Sequence, residues 1–191
     1  FGERLRSAGE DPVVLKQHSI EKSRRQLSVF LINKGYFDNY VLDSISINNK
    51  KVKQADVIYT IHSGQPYVYR NIEFSITDAV LLKYLDSIQM DSYILKGDHF
   101  DTDLLDMERK RITDFLMDKG YHFFNKEFIY FSADTSIGDH KIDIVLGIQN
   151  YKYKAEFTDT IFEKKHPQYK ISKVNFELYS ASKESIASDT N

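Results

Sequence analysis

The chain has 191 residues, no cysteine and a formal net charge of −2. Without cysteine, neither a disulfide framework nor a thiolate metal site is possible, and the slightly acidic balance argues against a partner held by its phosphate backbone. No apolar run reaches the roughly 18 residues that a transmembrane helix needs. The sequence starts FGERLRSAGED, without an initiator methionine or a signal-peptide core, so we expect it to be part of a longer protein.

An amphipathic helix is the first predicted element. Its apolar residues recur on one stripe at 3.6 residues per turn, at Ile20, Leu27, Phe30 and Leu31. Gly35, with a lysine before it, occupies the position where a left-handed residue ends a helix. Tyr36 follows and can anchor the exit of the chain to the core.

A β-hairpin is predicted next. Residues 40–47 (YVLDSISI) form its first strand, NNKKVK forms its turn, and ADVIYTIHS forms its second strand. In the second strand, apolar residues alternate with polar or smaller ones, at Ala55, Val57, Tyr59 and Ile61.

The same helix ending occurs again 85 residues later, where FLMDKGY answers FLINKGY. Gly120 and Tyr121 match Gly35 and Tyr36, and Arg109 matches Arg24. A second hairpin follows, with EFIYFSAD and KIDIVLGIQ as strands, and the second strand repeats the apolar alternation at Ile142, Ile144, Leu146 and Ile148. Such self-similarity indicates two copies of one structural unit.

Another pair of strands completes the predicted unit. YVYRNIEFSI at 67–76 and YKISKVNFEL at 169–178 share their apolar spacing. After the first of these strands, a short helix begins near Asp78. A connector then leads through Gly97 to a second N-cap at Asp101 or Thr102, where the helix that ends at Gly120 begins. The predicted division is an incomplete unit at 1–65, a complete unit at 66–150, and a linker with the first strand of a truncated unit at 151–191.

This tandem β-α-α-β-β arrangement, with its KGY helix exits and its GDHF connector, resembles the polypeptide-transport-associated (POTRA) modules of outer-membrane barrel assembly and translocation proteins. These sequence motifs are most similar to those of the Bacteroidota members of that surface-antigen family. The resemblance implies an α+β fold in which each module is a three-stranded mixed sheet, covered on one face by two antiparallel helices. It also places the first strand of each hairpin at a sheet edge.

The resemblance implies a periplasmic scaffold, attached to an outer-membrane barrel in the parent chain. Its partners would be unfolded outer-membrane proteins or periplasmic accessory subunits. An edge strand offers unpaired backbone groups to an extended client whatever its side chains. The candidate edges are residues 40–46 and 127–132, with Tyr40, Leu42 and Ser44 on the first and Glu127, Ile129 and Phe131 on the second. The alternative is that these edges are solvated or covered by a neighbouring module.

Two other functions remain as alternatives. One is a sheet-based nucleic-acid or small-ligand module, because a sheet rich in aromatic residues can also bind RNA, although Tyr67, Tyr69 and Tyr130 are expected to face outward as contacts for unfolded clients. The other is the same type of module in a two-partner secretion channel with one dedicated client.

Catalysis, metal binding and cofactors are not predicted. The six histidines have no ligand spacing, and no nucleophile-elbow, phosphate-loop or dinucleotide motif occurs. The acidic cluster DHFDTD lacks the glycine and glutamate of a calcium loop, so helix capping explains it better. The basic runs KSRR (22–25) and ERKR (108–111) are interpreted as solvated helix faces.

Overall fold

The computed structural model describes residues 14–48, 54–154 and 160–177. In chain order, the elements are α1 (Gln17–Asn33), β1 (Tyr40–Asn48), β2 (Gln54–His62), β3 (Val68–Ser75), α2 (Ala79–Ser87), α3 (Thr102–Asp118), β4 (Ile129–Asp134), β5 (Lys141–Ile148), β6 (Tyr151–Lys154) and β7 (Ile161–Lys164). Short 3₁₀ turns occupy Gln89–Asp91 and Lys126–Phe128. Within these ranges, no helix combines the length and apolar character needed to cross a bilayer. The predicted α+β class is confirmed.

The first helix lies on the first hairpin. β1 and β2 pair antiparallel, with Tyr40 opposite His62, and Ile20 of α1 and Val41 of β1 are buried. Phe30, which we expected on the same buried stripe, is 58% exposed. Its ring instead lines an open groove beside Phe100 at the start of α3. The sequence period places Phe30 near that stripe, but the surface that it meets belongs to a later part of the chain.

The central sheet is the three-stranded mixed sheet that the resemblance implies. Its order is β3-β5-β4, with β5 parallel to β3 and antiparallel to β4. The inner strand, β5, has four apolar side chains on its helix-facing side, and all are buried: Ile142, Ile144, Leu146 and Ile148. A parallel pair requires a long crossover connection, and here it consists of α2, the connector, α3 and β4.

Helices α2 and α3 cover one face of this sheet. Leu81 and Leu85 of α2 pack with Leu116 of α3 against the end of β5. A second cluster packs Tyr69 and Phe100 against Ile142 and Ile144. Because β5 contributes to both clusters, it connects the two ends of the central core.

Both predicted N-caps of the central helices are present. The Asp78 carboxylate accepts a hydrogen bond of 2.9 Å from the Val80 amide at the start of α2. The Asp101 carboxylate does the same for the Asp103 amide at the start of α3. Each cap satisfies one of the backbone donors that a helix start leaves without an intrahelical partner.

The interpretation of ERKR as a solvated face is wrong for two of its residues. Glu108 is only 3% exposed, and it accepts hydrogen bonds from Arg111, the Ser92 hydroxyl and the Tyr93 amide. Arg111 also donates to the Ile88 carbonyl, so the pair ties the connector to α3. The hydrogen bond between the Arg111 guanidinium and the Glu108 carboxylate raises the pKa of Arg111, so the guanidinium stays charged.

The chain after β5 contains a short hairpin and then an irregular segment. The segment at 150–170, expected to be a linker, contains the two-stranded hairpin β6–β7. Of the strand expected at 169–178, the described residues 169–177 have no regular secondary structure. Val174 and Phe176 are 62% and 91% exposed there. A strand needs a paired neighbour, and the described residues offer this segment none.

Candidate functional site

The outer edge of β4 runs along the side of the central sheet away from β5. The Gln149 amide donates to the Phe128 carbonyl at 2.8 Å, which fixes the alternation of the antiparallel ladder. In such a ladder, every second residue directs its backbone groups toward the partner strand. Tyr130, Ser132 and Asp134 therefore bond to β5, and the main-chain groups of the alternate residues point outward.

Not all of these outward groups are free. The Ile129 amide donates to the Lys126 carbonyl and closes the 3₁₀ turn. The remaining outward donors are the amides of Phe131 and Ala133, and the outward acceptors are the carbonyls of Ile129, Phe131 and Ala133. No strand of the described ranges pairs with this edge.

The side chains predicted for this edge have different environments. Glu127 is exposed but lies in the 3₁₀ turn, so the strand begins two residues later than predicted. Ile129 is 2% exposed and belongs to the core. Phe131 is half-buried, with the Arg109 guanidinium 5.2 Å from its ring centre. These two apolar side chains hold β4 to the helices, and the strand offers its backbone outward.

The opposite edge of the sheet is partly covered. The connector between α2 and α3 bonds along the start of β3: Gly97 donates to the Tyr69 carbonyl, and the Tyr69 amide donates to the Asp98 carbonyl. Phe100 donates to the Tyr67 carbonyl. Tyr69, expected to face outward, is 1% exposed, and burial raises its pKa to about 12. The β4 edge is thus the more open side of the central sheet.

The other predicted edge, on β1, exposes side chains as well as backbone. Tyr40 and Leu42 are each 54% exposed, and Ser44 is exposed. The Tyr40 ring stacks on His62 at 4.3 Å. β1 and β2 pair only with each other in the described residues.

The two helix exits have the same bonds. Gly35 has φ +85° and Gly120 has φ +92°. The Tyr36 amide donates to the Leu31 carbonyl and the glycine amide to the Ile32 carbonyl, which is a Schellman motif. Tyr121 and Gly120 repeat the two bonds at the end of α3, on Leu116 and Met117.

The carbonyl of each of these two glycines also accepts a backbone hydrogen bond from the start of a later segment. The Tyr67 amide donates to the Gly35 carbonyl at 2.9 Å, and the Tyr169 amide donates to the Gly120 carbonyl at 2.8 Å. Each tyrosine ring meets a phenylalanine edge to face, Phe37 at 4.9 Å and Phe123 at 5.4 Å. The carboxyl ends of α1 and α3 therefore anchor the segments that begin at Tyr67 and Tyr169.

Ion pairs reinforce both connections. Lys34 Nζ lies 2.8 Å from carboxylate oxygens of Asp101 and Asp103, and its hydrogen bonds to these carboxylates raise the pKa of Lys34. At the later connection, Lys165 pairs with Asp78 at 3.6 Å. The Gln168 side chain there donates to the Lys119 carbonyl at 2.6 Å.

No group of metal-ligating side chains occurs in the part of the chain that the structure describes. Asp98 and Asp103 of the acidic cluster lie at the surface, and Asp101 serves as the cap of α3 and as the partner of Lys34.

Comparisons with known proteins give structural neighbours only. No family model matches the chain, and no curated protein matches it. The crystal structure of BamA from Haemophilus ducreyi lacking POTRA domains 1–3 is similar at 15% identity and a TM-score of 0.43, over 75% of this chain and 25% of that chain. POTRA3–5 of Haemophilus influenzae BamA gives 18% identity and 0.42, over 67% and 48%.

A third neighbour is POTRA1–3 of the periplasmic domain of Omp85 from Anabaena, at 14% identity and a TM-score of 0.35, over 70% of this chain and 51% of that chain. The chain thus spans from a quarter to about half the length of these three structures.

Proposed function

We propose that this chain is a periplasmic scaffold of an outer-membrane protein assembly factor, and that it holds extended client segments by strand addition to β4. The units at 1–65 and 66–150, the truncated unit at 151–191 and the attachment to a barrel in the parent chain are parts of the same proposal. Its partners are unfolded barrel proteins or accessory subunits, and it acts without catalysis.

The observation that carries the proposal is the outer edge of β4, with which no strand in the described ranges pairs. Its outward amides can donate to an extended strand of any sequence, and its outward carbonyls can accept from it, while Ile129 and Phe131 keep β4 fixed to the core. Backbone recognition suits a scaffold that handles many barrel proteins, because their strands share geometry more than side chains.

The expected binding is weak. The outward groups of β4 allow about five backbone hydrogen bonds at roughly 1 kcal/mol net each, which barely offsets an association cost of about 4 to 15 kcal/mol. A client therefore binds and leaves easily at one edge. Additional edges on the same chain raise the effective concentration and the overall affinity.

The nucleic-acid alternative loses support from the position of Tyr69. A stacking platform needs two or three aromatic rings on an open sheet face, and Tyr69 is buried in the core. The Tyr130 ring lies across Gly147 on the neighbouring strand. Retention on a polyanion column that weakens with added salt would favour this alternative nonetheless.

Ala133→Pro tests the edge directly. Position 133 directs its amide outward and its side chain is exposed, so proline there removes a donor from the edge without removing one from the ladder. We expect binding of a barrel-derived peptide of about ten residues to weaken about fivefold, the equivalent of one lost backbone bond. Fluorescence anisotropy of the labelled peptide measures this.

Ala133→Ser is the matched control, since it keeps the amide and should bind as the parent chain does. Thermal melting must show that both variants remain folded. Unchanged peptide affinity in folded Ala133→Pro would mean that β4 is not the client edge. Proline at Ile129 is a poorer test, because it removes a buried side chain and the bond that closes the 3₁₀ turn.

A further inference from the structure

A pocket of about 370 Å³ lies beyond the end of the β4–β5 ladder. Its walls come from the chain after α3, the β6–β7 hairpin and the segment that follows β7. This volume lies in the lower part of the range for small-ligand sites, so the pocket has room for an aromatic side chain together with a neighbouring residue. Phe128, the residue before β4, is one of its walls, so the pocket adjoins the end at which β4 begins.

The pocket walls are mainly aromatic. The rings that line it are Phe123, Phe124, Phe128, Tyr151 and Tyr169. His166 is 7% exposed, and its ring lies 4.9 Å from that of Phe124 and 4.5 Å from that of Phe128, in edge-to-face contacts. One ring nitrogen is 2.8 Å from the Gln149 carbonyl. A fixed set of ring faces and edges favours another aromatic ring as the occupant.

A single lysine gives the pocket its charge. Lys164 Nζ lies 5.6 Å from the centre of the Tyr151 ring and 4.9 Å from that of Tyr153. No carboxylate is among the pocket-lining residues, and no described Asp or Glu forms an ion pair with Lys164. The two tyrosines hold the ammonium group at the pocket without neutralising it. A carboxylate on the occupant would therefore gain a charge-assisted contact.

We propose that this pocket binds an aromatic side chain of an extended client segment, and that Lys164 pairs with an Asp or Glu next to it. The proposal rests on the proposed function, and it adds side-chain selectivity to an edge that recognises only backbone. Segments with an acidic residue beside an aromatic one would be held in a preferred register on β4.

The test titrates the full chain with blocked dipeptides and measures binding by the chemical-shift changes in two-dimensional NMR spectra. Acetyl-Asp-Phe-amide should cause saturable shifts confined to the pocket-lining residues, with weaker binding of acetyl-Asn-Phe-amide by about threefold, as for an exposed ion pair. Acetyl-Asp-Ala-amide should not bind measurably. A dipeptide is too short to add a strand, so Ala133→Pro should leave its binding unchanged whether or not the β4 edge holds clients.

Two exposed positions provide the variants. Lys164→Gln should reduce the affinity for the Asp-Phe probe to that for the Asn-Phe probe, and Phe123→Ala should weaken both about tenfold by removing one wall. Lys152→Gln and Phe176→Ala are the controls, because both side chains are exposed and neither lines the pocket. Equal affinity for the Asp-Phe and Asn-Phe probes, shifts outside the pocket, or equal losses in the controls would overturn the proposal.

Discussion

Replacing Glu108 by glutamine is expected to lower the free energy of unfolding by about 3 kcal/mol, the loss typical of a broken buried ion pair. The substitution leaves the Arg111 guanidinium, whose side chain is 18% exposed, without its carboxylate. It also weakens the bonds to Ser92 and the Tyr93 amide that hold the connector. Urea denaturation followed by circular dichroism measures the change.

Asp106→Asn on the same helix is the control. Asp106 is 55% exposed and pairs with Arg109 at 3.9 Å and Lys126 at 3.3 Å. Exposed pairs contribute about 0 to 1 kcal/mol, so this variant should melt close to the parent chain. Adding Arg111→Met to Glu108→Gln should restore part of the loss, because no unpaired buried charge then remains. Similar losses in the Glu108 and Asp106 variants would contradict the assignment.

Gly120→Ala is expected to cost about 2 kcal/mol or more. Its φ of +92° already opposes any side chain, at about 1 to 2 kcal/mol. In addition, a Cβ at this position would overlap the carbonyl oxygen of Tyr169. The end of α3 or the segment after β7 must then move, and the hydrogen bond from the Tyr169 amide to the Gly120 carbonyl weakens.

Gly138→Ala separates the two causes. Gly138 has φ +85°, but a Cβ there would meet no atom within 4 Å. It should lose only the backbone contribution, about 1 kcal/mol. Amide hydrogen exchange provides a second measurement, because Tyr169 should lose protection in Gly120→Ala and keep it in Gly138→Ala. Equal destabilisation by both substitutions would show that the contact between α3 and the later segment contributes nothing.

Local features of this protein were readable from its sequence. The glycines after α1 and α3, the caps at Asp78 and Asp101, and the buried alternation along β5 each depend on a few neighbouring residues. A left-handed helix end favours glycine, and a side-chain cap is formed by a short polar residue one position before the helix. Period-two alternation similarly reports which face of a strand is covered. Such rules operate over distances shorter than one element.

Tertiary structure alone decided the features that involve distant segments. Glu108 looks like part of a charged helix face, and only the return of the connector past α3 buries it with Arg111. The covered start of β3 and the outward amides of β4 depend on which backbones meet. The aromatic pocket combines the chain after α3 with residues that follow β7. Sequence periodicity records how polar each side of an element is, whereas burial and free hydrogen-bonding groups depend on what packs against that side.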